Sequence, residues 1–269
     1  MAKYKKKELR KLQHDRFRDT TLGFFDRLGD ALEGKGRTIL YGFGGVLLAA
    51  ILIITFVRWR NRKADEARQA LGRAITIATT DVSATPILTG SAEPSFNSEY
   101  ERANRSIEEF EKVAAKYGDP YRAEARYFIA ANRLLVDRPK GMSELQELSK
   151  SDVPEVAALS KFALAQAKES DGKLDEAAQL YSDLAKQNGV SVSSDTANLR
   201  LAKVYIKLGK KKEAADLLFN LVDSSRKAKD EKNQPAPISA AAREAATELQ
   251  KLDPDRYAKL PPETPSLVG

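Results

Sequence analysis

Residues 38–57, TILYGFGGVLLAAILIITFV, run for 20 positions without a charge. No other feature limits the chain so strongly. A helix of that length covers about 30 Å, the hydrocarbon thickness of a bilayer. A buried helix of a soluble protein seldom runs this far without a polar face. A cleaved secretory signal fits poorly, because its apolar region is roughly 7–15 residues and ends in small residues. Here the block ends in Phe56-Val57-Arg58-Trp59-Arg60, with no Ala-x-Ala. The stretch predicts an uncleaved, single-pass transmembrane helix. Arg37 before it, and Arg58, Trp59 and Arg60 after it, are expected at the interface, where guanidinium and indole groups sit among headgroups. Gly45 and Ala49 form a small-xxx-small pair, a weak indication of a packed partner helix.

Charge separates the two sides of the block. The net charge is +7. Residues 1–63 hold 15 Lys/Arg and 6 Asp/Glu, whereas residues 64–269 hold 30 and 32. The basic character belongs to the front end and suits an anionic membrane surface. The nearly neutral remainder lacks the basic stripe that nucleic-acid binding needs. Residues 18–37 hold four Lys/Arg and residues 58–77 hold six, which by local count alone favours exporting the N-terminus. The leader 1–37 carries eleven, and moving them outward is costly against the membrane potential. The expected orientation is therefore N-terminus cytoplasmic, C-terminal domain outside.

In the leader, Phe24, Phe25, Leu28 and Leu32 recur at helical spacing. They make either an interfacial or docking helix, or a poorly ordered leader that only sets topology. Gly34-Lys35-Gly36 separates this segment from the span.

Beyond the block the pattern is helical. KADEARQALGRAITIA continues as a helix, and residues 80–98, rich in Ser, Thr, Pro and Gly, read as a loop. A helix is expected over 100–117, stopped by Gly118-Asp119-Pro120. The informative feature is a repeat. FALAQAKESDGKLDEAAQLYSDL (162–184) aligns without a gap on LRLAKVYIKLGKKKEAADLLFNL (199–221). Identical positions include Leu164/Leu201, Ala165/Ala202, Gly172/Gly209, Ala177/Ala214 and Leu180/Leu217. Each copy reads as two helices hinged at a glycine, which supplies the left-handed residue that closes the first helix. Small alanines then allow close approach and leucines fill the seam. Tyr127-Phe128-Ile129-Ala130 followed by Met142, Leu145 and Leu148 reads as a degenerate earlier copy, with Asp-Arg-Pro at its hinge. A closing helix is expected over 240–252 and a disordered tail over 254–269.

No chemistry emerges. The chain has no Cys and one His, His14, which excludes thiolate sites and the usual zinc and iron ligand sets. Gly42-Phe43-Gly44-Gly45 lies inside the apolar run, so a phosphate cradle is excluded, and no Gly-x-Ser-x-Gly occurs. Glu108 and Glu109 read as solvated helix charges. No enzyme, cofactor, metal, nucleic acid or small-molecule substrate is expected.

The paired helices resemble the tetratricopeptide repeat, whose period is near 34 residues. The fold class is therefore all-α: a leader (1–37), a transmembrane helix (38–57), a juxtamembrane helix and loop (58–98), a repeat domain (99–253) and a tail (254–269). In such folds the first helix of each pair lines the binding groove. Asn132, Arg133, Gln166, Lys168, Lys203 and Lys207 are the groove candidates. The order of parts, with Val57-Arg58-Trp59-Arg60 leading into ADEARQA and then the repeats, resembles the YfgM-like family of ancillary SecYEG translocon subunits. That resemblance spans roughly residues 37–225. It implies a bacterial inner-membrane protein with periplasmic repeats that contact translocon subunits, secreted chains and periplasmic chaperones in a chaperone-like role. An anchored scaffold for envelope assembly or cell division is the alternative, and a cytoplasmic-facing scaffold follows if the orientation is reversed.

Overall fold

The computed structural model describes residues 36–83, 95–187, 189 and 191–263. The leader stripe at Phe24–Leu32 and residues 264–269 of the tail lie outside them. The chain is all-helical, and it divides into two compact units, residues 1–65 and 66–269.

Helix α1 runs Gly36–Thr79, uninterrupted past the span. In the first unit its described large apolar side chains are exposed. Of the large exposed apolar residues among those described, all but Tyr100 and Leu135 lie between Tyr41 and Trp59. The hydroxyl of Thr55 donates to Ile51 O at 2.8 Å, so the helix satisfies its own polar side chain within the apolar run.

In the second unit α1 contributes Ala67, Leu71 and Ala74 to the core. There follow α2 (Glu99–Lys116), α3 (Tyr121–Val136), α4 (Arg138–Leu148), α5 (Pro154–Ser170) and α6 (Leu174–Ala185). Then come α7 (Ser194–Lys207), α8 (Lys211–Lys227), α9 (Ala240–Leu252) and the short α10 (Pro254–Tyr257). From α2 onward each helix packs on the next. Local chemistry sets the boundaries. Ser98, Asp137, Ser193 and Ser239 accept hydrogen bonds from the first-turn amides of α2, α4, α7 and α9. Gly172 and Gly209 both sit at φ 75°, and the following lysine amides bond back to Lys168 O and Tyr205 O at 2.9 Å, closing α5 and α7 alike.

The core is four successive clusters of one design. Phe110 and Val113 of α2 pack with Leu71 and Ala74 of α1 and Ala125 and Ile129 of α3. Leu145 and Leu148 of α4 pack between α3 and α5. Tyr181 and Leu184 of α6 pack between α5 and α7, and Leu218 and Leu221 of α8 between α7 and α9. The second helix of each pair is thus wedged between its own first helix and the next one. Leu180 and Leu217, identical in the two aligned copies, are half-buried and each touches two neighbouring clusters, sealing one to the next.

Every second helix carries the same buried triad, a small residue, then a large one four positions on, then an aliphatic three further. The triads are Ser106/Phe110/Val113, Gly141/Leu145/Leu148, Ala177/Tyr181/Leu184 and Ala214/Leu218/Leu221, all buried. They succeed one another at intervals of 35, 36 and 37 residues.

One segment differs from the sequence expectation, and another holds a buried residue that the expectation did not single out. Phe96, inside the expected loop, is buried at 5% exposure and its carbonyl accepts from Ser83 N at 3.0 Å, which closes the base of the excursion. Residues 254–263, expected as tail, are packed: α10 forms behind the Asp253 cap, and Leu260 joins the last cluster. Arg226, nearly buried, holds this segment by donating to Pro261 O at 2.5 Å. Each of the two places holds one buried apolar residue, Phe96 and Leu260, which contributes to holding its immediate neighbours against the domain.

Candidate membrane interface and protein-binding face

At the polar end of the apolar run, Arg58, Trp59 and Arg60 are exposed on α1. Arg37 also belongs to α1, but its side chain lies outside those described. The Trp59 ring stands 6.1 Å from the Phe56 ring, and Lys63 Nζ lies 4.7 Å from its centroid. The indole is therefore bracketed by an apolar ring one turn earlier and a cation one turn later. That gradient matches the passage from acyl chain to headgroup. Lys63 was absent from the sequence candidates; its signal was the four-residue spacing from the aromatic.

The repeat positions behave as packing residues. Leu164, Ala165, Leu201, Ala202, Ala177 and Ala214 are buried, with Leu180 and Leu217 at the seams described above. Gly141 of α4, not singled out from sequence, occupies the fourth position of its helix, as Ala177 and Ala214 do of theirs. A Cβ on it would meet Leu134 N at 2.7 Å and Ala130 O at 2.9 Å. Here α4 approaches the α3 backbone so closely that only hydrogen fits.

Four of the six groove candidates are engaged in ion pairs between helices. Arg133, mostly buried, bridges α2, α3 and α4 through Glu111 at 2.8 Å and Glu144. Lys168 reaches Glu176 across the Gly172 hinge at 2.6 Å and lowers its pKa by hydrogen bond and charge. Lys203 of α7 pairs with Glu244 of α9 and lowers its pKa in the same way. Lys207 of α7 pairs with Glu169 of α5 at 2.5 Å. Asn132 donates to Phe128 O within its own helix at 2.8 Å, and Gln166 is exposed. These cations serve mainly to hold first helices to their neighbours. Glu169 accepts a second bond, at 3.2 Å, from the hydroxyl of Tyr181, which is fully buried. Burial and the Glu169 charge push the Tyr181 pKa well above the usual phenol range.

A cleft of about 710 Å³ lies between α3, the end of α4 and the following turn. Its rim mixes Arg122, Arg126 and Lys150 with Asp119, Glu147 and Asp152, so its lining has no net charge. Among the described residues no three His, Cys, Asp or Glu gather as a metal site. No family model matches the chain, and neither does any curated protein or solved structure.

Proposed function

We propose that this chain is a single-pass membrane protein whose helical repeats form a tetratricopeptide-like solenoid and act as a scaffold for other proteins, without catalysing a reaction. One observation carries the reading: four equivalent buried triads, 35 to 37 residues apart, each wedging a second helix between two first helices. Such arrays bury a continuous core and leave the first-helix face for partners. The anchor rests on the apolar run. Full burial of a large apolar side chain is worth roughly 1.5–3 kcal/mol, so the exposed row from Tyr41 to Trp59 represents on the order of 10–20 kcal/mol recoverable in hydrocarbon. The orientation supported best by leader charge puts the N-terminus in the cytoplasm and the repeats on the other side, which the family resemblance implies is the periplasm of a bacterial inner membrane. Together with the resemblance noted above, this favours service at the Sec translocon, with emerging secreted chains and periplasmic chaperones as partners.

The experiment is photo-crosslinking in intact membranes from a probe at Gln166, exposed on α5. Adducts with translocon subunits or secreted chains support the reading. Adducts with division or outer-membrane assembly machinery replace it with an envelope-assembly scaffold. A reporter fused at Gly269 that works only in the cytoplasm overturns the orientation.

A further inference from the structure

The exit from the apolar run carries more charge than anchoring needs. Arg58, Arg60, Arg62 and Lys63 place four cations in six residues, with no acid among them. Among the described residues none of the four forms an ion pair with a carboxylate. At 100° per residue they spread over an arc of about 200°, somewhat more than half of the circumference, and at 1.5 Å per residue they occupy about 9 Å, close to the depth of a headgroup layer. Trp59, beneath Lys63, fixes the level of this arc by setting its indole at the boundary.

We propose that this cationic arc selects phospholipids with net-negative headgroups as the lipid beside the helix. The inference rests on the membrane-anchor part of the proposed function and is independent of what the repeats bind. Charge complementarity identifies the occupant: a broad cationic arc at headgroup depth attracts anionic lipid to that face of the helix, and the attraction weakens with salt. A zwitterionic headgroup offers no such net gain.

Trp59 is the sole tryptophan, so its fluorescence reports this level alone. The full chain is reconstituted into vesicles of equimolar phosphatidylcholine and phosphatidylglycerol, with one or the other brominated on its acyl chains. At low salt brominated phosphatidylglycerol is expected to quench Trp59 about twofold more than brominated phosphatidylcholine. The excess should vanish in 1 M salt, where the Debye length shrinks to about 3 Å. It should also vanish in the Arg58→Gln/Arg60→Gln/Arg62→Gln/Lys63→Gln variant. Equal quenching by both lipids at low salt overturns the selection and leaves the anchor standing. Quenching by neither lipid removes the anchor and the selection together.

Discussion

Lys207 Nζ of α7 stands 2.5 Å from Glu169 Oε1 of α5, and Tyr181 of α6 donates to the other oxygen of the same carboxylate at 3.2 Å. Three helices from two successive pairs therefore meet on one acid. The first helices α3 and α5 pack on each other, as do α7 and α9, but α5 and α7 are joined chiefly through α6 and this node. It lies beside the 186–193 connection that leads into α7.

The two ligands of Glu169 differ in burial, which predicts unequal costs. Lys207 is 54% exposed, so Lys207→Ala should lose less than about 1 kcal/mol. Glu169→Ala should lose about 1–3 kcal/mol, because it strands the buried Tyr181 hydroxyl without an acceptor. Adding Tyr181→Phe to Glu169→Ala should recover part of that loss. Urea unfolding of the detergent-solubilised chain, followed by circular dichroism, measures all three. If Glu169→Ala costs no more than Lys207→Ala, the node holds nothing together.

Tyr181 also sets an alkaline limit. Its folded pKa is raised while the unfolded value stays near 10, so the folded state keeps a proton that the unfolded state releases. Its contribution is complete below pH ~10 and is lost as pH rises beyond that, at up to about 1.4 kcal/mol per pH unit. Burial raises Tyr127 too, which adds a second such slope. A pH series of urea midpoints should fall steeply above pH ~10 and fall less in Tyr181→Phe.

How far the repeat is visible depends on which residue closes each hinge. Gly172 and Gly209 need positive φ, and glycine is the residue that takes it freely, so the last two pairs can be read by aligning the sequence on itself. The pair α3/α4 reads only as a degenerate copy because Asp137 both ends α3 and caps α4 by accepting from Lys140 N at 3.2 Å, leaving no glycine at the hinge. The earliest pair hides further, since its first helix is the end of α1 and its small triad residue is Ser106, whose hydroxyl bonds Arg102 O at 2.7 Å. Groove residues are least legible. A lysine on a first helix looks the same in sequence whether it faces solvent or, like Lys203, spans to Glu244 of α9. That distinction lives in tertiary spacing.

Gly141 offers a test in which the usual sign reverses. Glycine to alanine in a helix interior ordinarily stabilises by about 1 kcal/mol. At Gly141 the new methyl would press on Leu134 N and Ala130 O, backbone atoms of α3 that cannot rotate away. Gly141→Ala should therefore destabilise by about 1–3 kcal/mol. Gly72→Ala on α1, where a Cβ meets nothing within 4 Å, should keep the ordinary sign. Thermal melts of the two variants decide it, and a stabilised Gly141→Ala would mean that α4 does not approach α3 this closely.

Ser160 gives the opposite opportunity. It is fully buried in α5, and its hydroxyl has no hydrogen-bond partner, unlike that of Ser106. A buried hydroxyl left unpaired costs about 1–3 kcal/mol relative to water. The residue one repeat later, at the aligned position of α7, is Ala197, also fully buried, so a methyl already fits this environment. Ser160→Ala removes the orphan oxygen and opens a gap smaller than a methyl group. It should raise stability by roughly 1 kcal/mol, read as a higher urea midpoint with an unchanged slope. A lowered midpoint would show that the Ser160 hydroxyl has a partner, such as an internal water, whose hydrogen bond the substitution destroys.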